Sequence, residues 1–534
     1  MKMKHRSSML WYITLAVLAA GCVLDAAPAS AQTTSLGVDC SRIDVQSLLK
    51  MDNLGAGRIL IECGIVPGGR AMSRVSTHTP TAPPNVRVSN GSDCNSSDSV
   101  CGSESMVAGS TADKGATVVV NYNANYAGSS SYTGTSYSSN GGKTFTEIQP
   151  SPFANGHGEN LGDPLVVFNS KSGKFFAGDL ATGCGGFGIG LWTSTDGKTW
   201  TTGACAHNGG SDDRPSMWSD NEPTSGTYGR MYISFNDFTN NGALDVVYSD
   251  DGTTWTGPVI VSNTSTFMRD VQITGSPRGA AIGSGNAIVF LASMDEGGGG
   301  NATRQNVMYN STDGGATWTT VVMGARFNAP GDAICSSNSY FYQVNPIIRH
   351  MGWGEPAVGP NDVVHYVYAA AGSNGDHGDI MYQRSTNNGA TWSTPKKLNT
   401  DPDAQFKTQW MPSLSATSDG NVTASWYDRR KATSACTNVG DAGCNYERVG
   451  RQSKTNGASW KSELTISTSL ITQPTQDDGG VQTCYAGDYD YNTALNASDR
   501  GNATGVAYIT WTDGRNKISG VPVQNVDFAK VPEP

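Results

Sequence analysis

Charge is scarce in this chain. Asp, Glu, Lys and Arg make up 15% of 534 residues, and the formal net charge is −10. The missing basic excess argues against a nucleic-acid backbone or an anionic membrane surface as the main partner. No two of the 11 cysteines stand in C-x-x-C spacing, and none of the 7 histidines sits in ligand register with them. That leaves no zinc-site pattern. There is no G-x-S-x-G, no Ser-His-Asp order and no phosphate loop. The apolar run from Met9 to Ala20 is short for a membrane-spanning helix. What is abundant is glycine, at 65 residues. Much glycine with little charge suits alternating strands joined by many tight turns.

Residues 1–31 read as an export signal. Lys2, Lys4 and Arg6 form a basic start, the apolar run follows, and Ala29-Ser30-Ala31 is a small-residue cleavage pattern. Leu18-Ala19-Ala20-Gly21-Cys22 offers a lipid-anchor alternative, with its Leu displaced by one position. Cleavage after Ala31 leaves ten cysteines, an even number that fits an oxidising compartment. The expected pairs are Cys40–Cys63, Cys94–Cys101, Cys184–Cys205, Cys436–Cys444 and the distant Cys335–Cys484. The protein is expected outside the cytoplasm, secreted or periplasmic, as a monomer with no stable membrane insertion.

A short stretch organises the remainder. Ser311-Thr312-Asp313-Gly314-Gly315-Ala316-Thr317-Trp318 has close copies at Ser194–Trp200 and Ser249–Trp255, and looser ones at Ser139–Phe145, Ser385–Trp392 and Lys454–Trp460. Recurrence at roughly 55–75 residues marks a repeat architecture. Asp or Asn bonds nearby backbone N–H groups, Gly supplies a positive φ, and the closing aromatic packs back. The element is a turn and contains no nucleophile.

These copies resemble the Asp-box, or BNR repeat, of sialidase-like β-propellers over about residues 104–528. The resemblance implies an all-β, seven-bladed β-propeller, with six blades as the alternative count, and places the turns on the side opposite the binding face. The organisation is then a signal at 1–31, an extension and linker at 32–103 with short helices, and the propeller at 104–534. In the extension, Ser41 is a candidate N-cap, a second helix could run through Arg58–Ile61, and Pro80, Pro83 and Pro84 mark linker chemistry. Seven units begin at Glu104, Asp163, Arg214, Asp270, Glu355, Met411 and Asp488. The last closes with Val523–Phe528 and lacks the turn, and Phe327–Met351 is an insertion expected to cap one face.

The unit-opening residues would ring one central pocket, where crowded carboxylates raise each other's pKa or recruit a cation such as calcium. Alternatively they bond to the neighbouring backbone. Sialidases bind a substrate carboxylate with three arginines and use a Tyr nucleophile with a Glu partner and an Asp acid/base. Carried over, this nominates Arg214, Arg429 and Arg515, with Arg269 and Arg349 in reserve. The loops Trp426-Tyr427-Asp428-Arg429-Arg430 and Trp511-Thr512-Asp513-Gly514-Arg515 would use Asp428 and Asp513 to orient their arginines. Tyr485 or Tyr427 is the candidate nucleophile, Glu355 its partner, and Asp270 and Asp488 complete the catalytic set. The family's early Arg-Ile-Pro motif is absent, and Arg214 stands in the third unit, so the true sialidase pattern is not matched. The expected activity is on extracellular glycans as a glycoside hydrolase. The alternatives are a non-catalytic glycan- or protein-binding propeller and a lyase of uronic-acid polymers, for which His157, His207, His350 and His377 are candidate bases. No cofactor is implied.

Overall fold

The computed structural model describes residues 32–69, 85–89 and 102–534, apart from 126–129, 150, 152, 154–155, 284, 347, 439, 476–478, 502 and 519. The export signal and the expected Cys94–Cys101 pair lie outside the described residues.

Short runs of β-branched and aromatic residues bounded by Gly, Asn and Asp form strands. Ser103–Gly109, Val118–Asn125, Tyr132–Ser138 and Thr146–Glu147 make the first antiparallel meander. The second runs Leu165–Asn169, Lys174–Ala181, Gly188–Ser194 and Thr201–His207, the third Asp212–Ser219, Met231–Asp237, Ala243–Ser249 and Thr256–Ser262. The fourth sheet opens at Met268–Gly275, the fifth at Glu355–Val358 and the sixth at Gln409–Ala416, each continuing through three further strands, to which the fourth adds Phe327–Asn328. A seventh combines Thr493–Leu495, Val506–Asp513, Asn525–Pro532 and Val86–Arg87. The first strands of successive sheets pack side by side, and the seventh returns to the first, where Ser105 and Met106 pair with Asp490 and Tyr491. Apolar side chains fill the spaces between neighbouring sheets, as where Phe290 and Met308 meet Val364 and Tyr366.

The seventh sheet moves a boundary. The linker was expected to end at 103, before the repeat. Instead Val86 pairs with Phe528 and Arg87 with Asp527, so a strand from the linker supplies the outer edge of the last sheet. Two residues are too short to show a strand period, and so nothing in the sequence marked them.

The recurrent turns share one hydrogen-bond pattern. Ser311 Oγ donates to Asp313 Oδ1 at 2.8 Å and accepts from Gly315 N at 2.9 Å, while Asp313 accepts the amides of Ala316 and Thr317. Asp196, Asp251, Asn140 and Asn387 repeat it. Gly315 has φ +93°, and a β-carbon there would lie 3.0 Å from the Tyr232 ring. Each turn joins the third and fourth strands of its sheet, at the end away from the start of the first strand.

Among the described residues, two α-helices precede the sheets. Asp44, not the expected Ser41, caps α1 (Val45–Lys50), and Asn53 caps α2 (Leu54–Glu62) through the Ala56 amide. Cys40–Cys63 joins the ends of this unit. Its apolar face, including Leu48, Ile59 and Leu60, packs on Leu180 of the second sheet and on Leu161, Phe187 and Phe238 in the connections of the second and third sheets. Cys184–Cys205, Cys335–Cys484 and Cys436–Cys444 are bonded as expected, and the inserted stretch carries a small sheet of Ala333–Ile334, Tyr342–Asn345 and Ile348–Arg349.

Candidate functional site

The opening strands break their own alternation. Register irregularities fall between Ser103 and Ser105, Asp213 and Ser216, Arg269 and Gln272, and Trp410 and Ser413. At these bulges Glu104, Arg214, Asp270 and Met411 take positive φ, and Asp163 does so in the second sheet. A regular strand sends neighbouring side chains to opposite faces. A bulge lets two successive side chains share one side, so that Asp213 and Arg214, and Arg269 and Asp270, all reach the same centre.

There, three guanidiniums meet one residue of the extension. Arg214 Nη1 lies 2.7 Å and Arg269 Nη1 3.2 Å from Asp52 Oδ2, and Arg349 Nη2 donates to the Asp52 carbonyl at 2.8 Å. Each arginine also has a carboxylate of its own. Arg214 reaches Asp270 at 3.3 Å, Arg269 reaches Asp213 at 2.9 Å and Glu296 at 3.3 Å, and Arg349 grips Asp488 at 2.7 Å. Aromatic rings complete the wall. The Arg214 guanidinium lies 4.2 Å from the Trp353 ring centroid, and that of Arg349 lies 3.7 Å from Phe341. Every one of these charged side chains is buried.

Burial and crowding sort the protonation states. Burial pushes the Asp52 carboxyl up, but the charges of Arg269, Arg214 and Arg349 overcome it and hold it at about 2. Burial, then the Asp52 charge, lifts Asp213 to about 7. Burial, then Asp488 and Asp52, lifts Glu104 well above the carboxylate range. Asp163 rises likewise through burial and the charges of Asp213, Asp52 and Glu104. Burial raises Asp270 to about 6 against the pull of Arg214. Asp52 is therefore a firmly ionised carboxylate of the centre, and Glu104 and Asp163 are its neutral acids. Tyr485 bonds to Glu104, and Asn123 Nδ2 bridges the pair at 3.0 and 2.6 Å. Asp163 Oδ1 is buried without a partner.

Of the expected residues, Arg214, Asp270, Tyr485 and Asp488 come together here. Glu355 does not pair with Tyr485. It accepts from Ser413 Oγ and, at 2.7 Å, from Leu414 N in the next sheet. Glu104, Asp163 and Asp270 bond in the same way to the amides of Asp488, Arg214 and Gly354. The ring of opening carboxylates thus staples sheet to sheet, which was the alternative reading. Arg429 and Arg515 are not part of the arginine cluster. Arg429 bonds to Asn345, Phe406 O and Thr408, while Asp428 pairs with Arg430. Arg515 is held by Asp513 and Asp527. Tyr427 donates to Asp490.

Arg269 and Arg349, the two reserves, take the empty places. Asp52 and Asp213 were not anticipated. The reversed dipeptides Asp213-Arg214 and Arg269-Asp270, in equivalent places of consecutive units, are the signal that could have found Asp213. Asp52 has none, because its partners are set by docking. The expected concave pocket on this face is filled by the extension. A cavity of about 230 Å³ lies further along the opening strands and is lined by Met106, Trp218, Ile273, Glu355 and Tyr491 among others.

Asp52, Asp163 and Asp213 place oxygen atoms within 4.8 Å of one another. Calcium does not fit them well, since Arg214 and Arg269 already supply positive charge to the group.

No family model and no curated protein matches this chain. Similar solved structures include a protein of unknown function from Dyadobacter fermentans, at 14% identity and TM-score 0.38, covering 85% of this chain and 99% of that one. An α-L-arabinofuranosidase, Arb93A, from Fusarium graminearum has 14% identity and TM-score 0.37 over 69% and 92% of the chains. An ulvan lyase of family PL25 has 11% identity and TM-score 0.44 over 78% and 90%. Likeness at this level carries no argument about activity.

Proposed function

We propose that the chain is a seven-bladed, sialidase-like β-propeller that acts on extracellular glycans as a glycoside hydrolase, at the centre formed by Arg214, Arg269 and Arg349. The observation that carries this reading is the convergence of those three buried arginines on one residue, two on its carboxylate and the third on its backbone carbonyl, beside a tyrosine bonded to a glutamic acid. Planar guanidinium forks recognise carboxylates specifically, so an acidic sugar is the substrate class that suits the centre. Tyr485 is the nucleophile toward the anomeric carbon. Glu104, once ionised, accepts its phenolic proton. Asp163 protonates the leaving oxygen, and water then cleaves the glycosyl–tyrosine bond.

The test is reporter release from sialic-acid, uronic-acid and neutral glycosides. Asp52 fills the centre, so both the intact chain and Asp52→Gly are assayed. Turnover of an acidic glycoside that Tyr485→Phe abolishes supports the reading; no turnover by either protein sinks it. A lyase reading draws on His350, which burial and then Arg214 and Arg304 hold at about 3, leaving a neutral imidazole beside the centre. Appearance of an unsaturated uronate product would favour it.

A further inference from the structure

The carboxylate in the arginine centre does not come from the sheets that build the centre. Arg214 belongs to the third sheet, Arg269 to the fourth and Arg349 to the insertion before the fifth. Asp52 belongs to the extension, between α1 and α2. It is also surplus to charge balance. Asp270 stands against Arg214, Asp213 and Glu296 against Arg269, and Asp488 against Arg349, so each guanidinium keeps a counterion without Asp52. A carboxylate added to an already balanced cationic pocket occupies the place of a ligand.

The details of its binding agree. Oδ2 takes the contacts of two arginines, whereas Oδ1 is buried with no hydrogen-bond partner. A carboxylate tied to a chain is held by its backbone and uses one oxygen; a free one can turn to use both. The backbone anchors are visible: the amides of Asp52 and Asn53 and the Asn53 side chain all donate to Asp213, and Arg349 takes the Asp52 carbonyl. A crevice of about 10 Å³ follows the seam, lined by Asp52, Asn53, Arg349, Gln482 and Tyr485. Among the described residues, the only disulfide of the extension is internal, Cys40–Cys63, and none ties it to the sheets.

We infer that Asp52 is an intrachain stand-in for the carboxylate of an acidic ligand, so that the N-terminal extension is a stopper on the arginine centre and its displacement opens the site. This rests on the reading that the centre is the functional site. It adds that the intact chain is latent.

The experiment removes the stand-in and supplies another. Thermal unfolding of the full chain is followed for wild type and Asp52→Gly in sodium acetate, in acetamide and in sodium chloride of matched ionic strength. Acetate should raise the melting temperature of Asp52→Gly saturably, as binding to the folded state alone requires, with no response to acetamide and none in wild type. A variant that ignores acetate, or answers acetamide and chloride equally, overturns the inference. Should Asp52→Gly fail to fold, a second form decides: the full chain with a protease site inserted between residues 69 and 85, cut after folding. Glucuronic acid and N-acetylneuraminic acid should bind the cut chain at least about tenfold more tightly than the intact chain, and galactose should bind neither, because a buried charge-assisted pair is replaced by its equivalent. Equal affinities before and after cutting overturn the inference. Acetate binding without any turnover would keep the stopper and sink the hydrolase. Turnover by the intact chain, with Asp52→Gly indifferent to acetate, would do the reverse.

Discussion

Replacing Glu355 by Gln should stabilise the protein at neutral and alkaline pH and leave any activity in place. Glu355 is buried, and its Oε2 accepts both Ser413 Oγ–H and Leu414 N–H. Burial, only partly offset by those bonds, lifts its carboxyl from 4.5 to about 8. The sign follows from the raised value. The neutral acid is the form the fold prefers, so its contribution is complete below the unfolded pKa of 4.5 and is lost as pH climbs through about 8. At 1.36 kcal/mol per unit the full loss is about 5 kcal/mol. Glu355 lines the 230 Å³ cavity, where water reduces the cost, and half of that figure, roughly 2–3 kcal/mol, is the expected effect. Glutamine keeps the accepting oxygen and cannot ionise. For a chain of this length the unfolding entropy converts that energy to about 2–3 °C. Differential scanning calorimetry of wild type and Glu355→Gln from pH 4 to 9 checks it. The two curves should coincide near pH 4 and diverge progressively above it, with the variant higher. Parallel curves, or a variant that melts lower at pH 8, would refute the assignment of Glu355 as a neutral staple. Loss of turnover with the melting curve raised would return it to the catalytic set.

Three other outcomes follow from the same geometry. Arg269→Gln leaves Asp52, Asp213 and Glu296 short of a counterion and should cost about 3–5 kcal/mol; its melting deficit should shrink below pH 7, where Asp213 takes up a proton. Asp313→Ala removes the acceptor of two amides in a turn remote from the arginines, and should lower stability by about 1–2 kcal/mol with turnover unchanged in the reporter assay. Val86→Pro disrupts the pairing with Phe528, and hydrogen exchange should accelerate across residues 525–532 while the other sheets keep their protection.

The sequence made the sheets legible because their turns are chemically specific. Asp313 and its counterparts need a short acceptor, a glycine and an aromatic in order, and their spacing counts the units. The ring of opening residues was legible for the same reason, and Cys335–Cys484 because pairing the cysteines close in sequence leaves these two. The site was only half readable. Alternation predicts one inward residue where Arg269 and Asp270 supply two, and a bulge is a property of backbone pairing that no residue type announces. Arg429 and Arg515 looked right because an Asp precedes each closely. That neighbour consumes Arg515, and Asp428 takes Arg430 and leaves Arg429 to uncharged oxygens of Asn345, Phe406 and Thr408. Asp52 and Val86 act through contacts hundreds of residues distant, beyond any local pattern.

The extension lies ahead of everything it covers. A chain made from its amino end presents Asp52 162 positions before Arg214 exists and 297 before Arg349. At no stage of synthesis is there an arginine centre without its occupant already on the same molecule. The order of genes in an operon or the timing of a separate inhibitor would be needed to achieve this with two chains; here colinearity alone does it.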